Sequence, residues 1–190
     1  MTRILVNLTA LNLVALFAAF GVGWVSFLGG SRANPNPDDS KFLLHITLGL
    51  IAVTTTLGLH CLVFIYFLGT GRWVKEVSLA YGLTDYHALP TLTRELKRRA
   101  FPVALWCMVV TIVAAASGGG VATLQWPWMV HGGLTLAALA ANVWGFFPEY
   151  RCVKQNGTVI AEVMREVDRI RAARGYNTNE EALREQQVSG

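Results

Sequence analysis

The sequence predicts an all-α protein: a four-transmembrane-helix antiparallel bundle with a cytoplasmic interfacial helix and a C-terminal amphipathic helix. Of its 190 residues, 53% are hydrophobic and only 15% are charged, whereas an ordinary soluble domain carries about 25% charged residues. Three long stretches contain no charge at all: Ile4–Gly30, Phe42–Gly71 and Ala100–Pro148. Uncharged apolar runs of 18 or more residues are typical of membrane-spanning helices, which excludes a soluble enzyme.

The uncharged runs divide into four spans. A bilayer core about 30 Å thick needs about 20 helical residues, so the first two runs predict one span each, at 4–29 and 42–69. The third run is too long for one span and contains Ser117–Gly120 and Pro127, which predict a break between spans 101–118 and 128–147. We expect residues 1–150 to form the transmembrane domain and residues 151–190 to form a cytoplasmic amphipathic helix and polar tail.

The distribution of lysine and arginine predicts the orientation of the spans. With four spans, 14 of the 16 basic residues fall on the side that holds both termini and the 70–100 loop. Arg32 and Lys41 fall on the other side. Because basic residues mark the cytoplasmic side, we expect both termini in the cytoplasm. We also expect an integral protein of the bacterial inner (cytoplasmic) membrane that contacts membrane lipid, and the basic flanks indicate lipid rather than nucleic acid as the partner.

Three segments outside the spans have recognisable patterns. Arg72–Leu83 alternates basic and apolar residues, as in helices that lie in the membrane interface. Thr158–Arg174 carries apolar residues at 3-4-3 spacing, a stripe that packs either on its own chain or on a partner subunit. Ser31–Ser40 is a turn-rich outer loop whose aspartates cap the second span. The stripe consists of Ile160, Val163, Val167 and Ile170.

Three histidines lie inside spans, where ionisable side chains are costly and by default have a function. His45 and His131 lie near the outer ends of spans two and four, so we expect their rings at the same depth. Gly49 follows His45 by one turn and Gly132 follows His131 directly, which leaves room for a flat group. Two histidines at one depth on two helices can hold b-type haem through bis-imidazole ligation.

His60 lies further along the second span, about 22 Å from His45 at 1.5 Å per residue. No histidine occurs at the corresponding depth on the fourth span, so His60 is a candidate residue for the quinone side of an electron-transfer path. A hydrogen bond to Asn142 or Thr56 is the structural alternative. The outer histidines have a structural alternative as well, because small residues and histidines also serve in close helix packing.

The function predicted from these residues is an integral membrane b-type haem subunit that carries electrons between membrane quinone and a partner redox subunit. The chain has no HExxH, CxxCH or dinucleotide-binding motif, so we expect no catalytic residues and at most a subunit of a membrane oxidoreductase complex. The alternative is a non-catalytic accessory or assembly membrane subunit that docks protein partners, or further copies of itself, through its cytoplasmic helices. A small transporter ranks lower because we expect no acidic residue within a span.

Overall fold

All four predicted spans are helical in the structure, a computed structural model that describes residues 1–28, 40–83 and 88–178 together with 181 and 184. Each helix is long and apolar enough to cross a membrane, which is the architecture of an integral membrane protein. The predicted outer loop and its capping aspartates lie outside the described residues, as does most of the polar tail. The helices are α1 (Thr2–Leu28), α2 (Ser40–Ala80), α3 (Ala88–Leu124) and α4 (Trp128–Ala173).

Contacts between neighbouring helices show their relative directions. Ala19 and Asn12 of α1 contact residues progressively later in α2, namely His45 and Thr56. The α3–α4 pair follows the same antiparallel order, and α2 contacts α3 through rings such as Phe64 and Phe101. α2 also touches α4, with which it runs parallel. Every helix keeps its backbone hydrogen bonds within itself, as lipid surroundings require.

The turn between α3 and α4 lies later in the chain than the sequence indicated. α3 continues through the glycines at 118–120 and ends at Leu124. Gln125 has a φ of 55°, and the backbone N–H of Trp126 donates to the carbonyl of Gly120 at 3.3 Å. The Trp126 ring lies so close to Gly120 that a Cβ there would approach the ring to 2.5 Å. Gly120 therefore allows the indole to fold back over the helix end.

The two amphipathic segments are continuous with α2 and α4 in the structure and are not separate helices. Residues 72–80 of the expected interfacial helix continue α2, and residues 158–173 continue α4. The glycines near residue 70 do not end α2, because that part of the helix packs tightly. Asn156 donates to the Thr70 hydroxyl at 2.9 Å, and a Cβ on Gly71 would lie 3.6 Å from Thr93. At 41 residues, α2 is about 60 Å long and exceeds a bilayer core.

The parts of α2, α3 and α4 beyond the apolar runs form what we term the basic-end extension, residues 72–83, 88–99 and 151–173. Its core contains the apolar stripe predicted on the tail, which packs against the end of α2. Of the two alternatives for this stripe, the structure therefore shows packing on its own chain. The buried members of this core are Val74, Leu83, Val163 and Val167, with Trp73, Val77, Tyr81, Leu89, Ile160 and Ile170 packed around them.

Removing two methyl groups from this core should lower the stability of the basic-end extension. Val163 is fully buried, so Val163→Ala should destabilise the extension by about 1–3 kcal/mol through lost burial and a cavity. Amide hydrogen exchange in detergent or nanodiscs should show faster exchange in α4 after residue 151. Arg165→Ala on the exposed face of the same helix is the control and should leave exchange unchanged. Equal exchange in the two variants would show that this core does not hold the extension together.

Candidate functional site

The rings of His45 and His131 face each other near the beginnings of α2 and α4. Their centroids are 6.1 Å apart and their planes meet at 76°. Both side chains are partly buried. The structure therefore brings together, at one depth, two histidines that are 86 positions apart in the sequence.

Each ring is oriented by a backbone carbonyl of the preceding helix. The Nδ1 of His45 lies 3.0 Å from the carbonyl oxygen of Ala19, and the Nδ1 of His131 lies 3.1 Å from that of Ala114. Because a carbonyl only accepts, the Nδ1 of His45 carries the proton. The Nδ1 of His131 also lies 3.0 Å from the hydroxyl oxygen of Ser117, and because that hydroxyl donates to the same Ala114 carbonyl, its oxygen accepts from a protonated Nδ1. In a neutral imidazole the Nε2 is then left with a lone pair. This is the tautomer in which Nε2 can bind a metal, with the Nδ1 bond fixing the direction of the ring.

A glycine one turn beyond each carbonyl makes room for the ring. A Cβ on Gly23 would lie 2.6 Å from Cε1 of His45, and a Cβ on Gly118 would lie 3.0 Å from Cε1 of His131. Sequence reasoning missed both glycines. Gly23 was not assigned to any site, and Gly118 belongs to the segment that was interpreted as a helix break. The signal that could have found them is the repeated Ala-x-x-x-Gly spacing, at Ala19–Gly23 and at Ala114–Gly118.

The two glycines named from the sequence have a different position. Nothing lies within 4 Å of a Cβ added to Gly49, and a Cβ on Gly132 would meet only the Trp128 ring, at 3.8 Å. A Cβ added to either glycine would therefore not contact a histidine. Their open faces lie within one turn of the two rings along α2 and α4.

His60 lies apart from the outer pair, in a buried polar cluster between α2 and α4. Its Nδ1 is 2.8 Å from a carboxylate oxygen of Glu149, and its Nε2 is 3.1 Å from the amide oxygen of Asn142. The Asn142 bond was the structural alternative considered for His60. Both ring nitrogens are engaged within the protein, so His60 has no free nitrogen for a metal.

Glu149 is a buried partner of His60 that the sequence analysis did not identify. It directly follows the last uncharged run and lies beyond the predicted end of the fourth span at residue 147, yet its side chain is 1% exposed. α4 continues through Pro148 without a break, which carries Glu149 round onto the face that meets His60. Glu149 lies two residues beyond the predicted fourth span, so an acidic side chain is buried in the bundle although none falls within a predicted span.

The orientation of the Asn142 amide follows from its neighbours. Its Nδ2 donates to the carbonyl of Ala138 at 2.8 Å and to the hydroxyl of Thr111 at 2.9 Å. The Thr111 hydroxyl in turn donates to the carbonyl of Cys107. Since the carbonyl of Ala138 only accepts, the nitrogen must face it and the oxygen must face His60. Asn142 therefore requires a proton on the Nε2 of His60.

A second polar cluster joins α1 to α2 between the two histidine levels. The amide oxygen of Asn12 accepts hydrogen bonds from the hydroxyls of Thr55 and Thr56, both at 2.9 Å. The sequence analysis did not include these residues in a site, and they touch neither histidine cluster. Their arrangement fixes the register of α1 on α2.

The described residues contain no group of three or more histidine, cysteine, aspartate or glutamate side chains that could hold a bare metal ion. Their cysteines are also unpaired: Cys61 is exposed, while Cys107 and Cys152 are buried. Metal binding by the outer pair would therefore need additional ligands from a cofactor. Comparisons of this chain with protein families, curated proteins and solved structures found no match.

Adding a methyl group to Gly23 or Gly118, the glycines next to the histidine rings, should lower Tm, whereas adding one to other glycines of the same helices should not. Gly→Ala at an open helical position normally favours the helix by about 1 kcal/mol. Gly21→Ala and Gly119→Ala, where nothing lies within 4 Å, should therefore leave Tm unchanged or raised. Gly23→Ala and Gly118→Ala should lower it, because the imidazole must move off its carbonyl. Thermal unfolding in detergent measures all four variants, and equal Tm values across them would contradict the seating described here.

Proposed function

We propose that this protein is an integral membrane b-type haem subunit that carries electrons between membrane quinone and a partner redox subunit. His45 and His131 are the proposed axial ligands. The observation that carries the proposal is the matched presentation of two rings, each with Nδ1 bound to a carbonyl and Nε2 left with its lone pair.

The spacing of the rings supports bis-imidazole ligation. With a metal–nitrogen bond of about 2 Å, and about 1 Å from each nitrogen to its ring centroid, two axial imidazoles place their centroids about 6 Å apart. The observed separation is 6.1 Å. A porphyrin supplies four equatorial nitrogens, so two protein ligands complete the coordination without a third residue.

The surroundings fit a flat apolar group. His45 and His131 are on α2 and α4, which meet across the middle, so α1 and α3 lie to either side of a group held between them. The open face of Gly49 lies one turn from His45, and Gly132, next to His131, has only the Trp128 ring near its Cβ position. Haem bound there would supply a reversible one-electron carrier. The carbonyls of Ala19 and Ala114 would orient the ligands and increase the basicity of each Nε2.

The proposal includes the arrangement in the membrane. In this arrangement the basic-end extension would face the cytoplasm of a bacterial inner membrane, and both histidine ligands would lie in the outer leaflet. Quinone at the His60 level would have to displace a hydrogen bond of that ring, because both nitrogens are engaged. The quinone therefore remains the less supported part of the proposal.

The accessory-subunit alternative receives less support. It docks partners through the cytoplasmic helices, and the apolar stripe of the tail packs against α2 within the same chain. It also assigns no role to the proximity of the two rings. Its distinguishing outcome is that loss of either histidine would affect stability alone.

Loss of either ligand should abolish the cofactor spectrum. Protein purified from haem-replete cells should show a Soret band and sharp α and β bands on reduction, and His45→Ala and His131→Ala should each lose this low-spin signature. Thr47→Ala is the control, because its exposed hydroxyl bonds only to its own helix. If wild-type protein shows no Soret band, or if both histidine variants keep the spectrum, the haem assignment is wrong.

Filling the open space next to His45 should exclude the cofactor without removing a ligand. Gly49→Leu should lower the haem content per protein by on the order of tenfold, a loss within the range for disturbed supporting groups at metal sites. Gly58→Leu is the matched control on α2, because nothing lies within 4 Å of its added Cβ either and it is nine residues further along. The pyridine haemochrome assay measures the haem-to-protein ratio. Equal ratios in the two variants would show that the macrocycle does not lie over Gly49.

A further inference from the structure

His60 and Glu149 form a deeply buried pair of ionisable side chains at the end of the bundle nearest the basic-end extension. Their side chains are 3% and 1% exposed, and the nearest nitrogen and oxygen are 2.8 Å apart. Neither group belongs to the proposed haem site. His60 is about 22 Å along α2 from His45, at 1.5 Å per residue.

The donor and acceptor roles of the neighbouring groups determine how many protons His60 and Glu149 carry together. The amide oxygen of Asn142 faces Nε2 of His60, so Nε2 always carries a proton. The short bond between Nδ1 and Glu149 then holds one further proton, on either the nitrogen or the oxygen. In both arrangements the pair is neutral overall. Binding one more proton, on the carboxylate, would give the pair a charge of +1.

The helices around the pair provide one nearby charge and several neutral polar groups. From α3, the thiol of Cys107 lies against His60, and Arg99 acts electrostatically on Cys152 together with Glu149. Cys152 is on α4, one turn towards the extension. From α1, the buried hydroxyl of Thr9 has no hydrogen-bond partner among the described residues. Among these contacts Glu149 is the carboxylate next to His60, and Arg99 is the nearby positive charge.

Stability alone does not account for this pair. The attraction within a buried ion pair roughly offsets the cost of removing both charges from water, and apolar replacements are often neutral or stabilising. Ionisable groups at membrane depth therefore indicate proton or ion chemistry by default. A neutral pair that can accept one proton is suited to balancing a charge that arrives elsewhere in the bundle.

We propose that the His60–Glu149 pair is a proton-exchange site that takes up one proton from the side of the basic-end extension when an electron enters the bundle. This inference rests on the proposed haem function. A membrane quinol, or dithionite in the assay, donates one electron to the ferric cofactor. One proton from water forms an O–H bond on Glu149, and oxidation reverses both events. Electrostatic attraction couples the two sites, and it is weak at this separation although water and salt screen it less inside the bundle than at the surface.

Proton uptake on reduction tests the coupling directly. Wild-type protein in weakly buffered solution with a pH indicator should take up a substantial fraction of one proton per electron, and its midpoint potential should fall as pH rises. Glu149→Gln should lose at least about half of both effects, because its amide cannot bind the proton. Glu149→Asp should restore part of them. Glu166→Gln is the control, because Glu166 is a buried carboxylate of the extension that pairs with Arg169; unchanged uptake in Glu149→Gln would overturn the proposal.

Infrared spectroscopy separates failure of this inference from failure of the haem assignment. In protein without haem, the carbonyl band of a protonated buried carboxyl group should still appear as pH is lowered, and it should vanish in Glu149→Gln but not in Glu166→Gln. If no haem is bound and this band is present, the proton site stands while the haem function fails. If haem is bound but the band and the proton uptake do not depend on Glu149, the proton site is wrong and the haem function stands.

Discussion

The structure depends on one constraint: polar side chains inside a membrane bundle must find partners on another helix, because lipid supplies none. Asn12 meets this requirement between α1 and α2, and Asn142 meets it between α3, α4 and α2. Each contact permits only one vertical register of its helices. A slip of one turn would leave several buried groups unpaired at a cost of several kcal/mol in hydrocarbon. The depth of the outer histidine rings is therefore determined by polar contacts further down the bundle.

The two helical hairpins build the outer site in the same way. In each, a carbonyl and a glycine four residues later, on the first helix, seat a histidine near the start of the second helix. Eleven residues after each histidine comes a buried polar residue, Thr56 or Asn142, bonded to the first helix. The two hairpins differ one turn after these polar residues, where α2 has His60 and the equivalent position of α4 is Phe146. The bundle is therefore symmetric around the outer pair and asymmetric around the inner one.

The sequence predicted the spans well and the helix ends poorly, for a physical reason. Charged side chains are costly in the lipid core, so membrane-spanning helices lack them. The uncharged runs therefore located all four helices. Continuation of α2 and α4 beyond those runs depends on tertiary packing of residues such as Val74 and Val163, which no local pattern contains. Glu149 was missed for a related reason, since its burial follows from the helical phase of α4 and not from its position after Pro148. Gly23 was visible as a small residue, but its role depends on a ring 22 positions away.

The two histidine environments imply different chemistry, although all three rings lie in one bundle. An imidazole whose Nδ1 is bound to a carbonyl can change its Nε2 partner without disturbing its own orientation, which suits a ligand. His60 has both nitrogens bound, one to the Asn142 amide oxygen, which only accepts, and one to the Glu149 carboxylate, which can share a proton. It can alter its charge state only through Glu149. A bundle that keeps these environments about 22 Å apart along one helix can place an electron at one end and a proton at the other, with the polar contacts of Asn142 and Asn12 holding the distance between them.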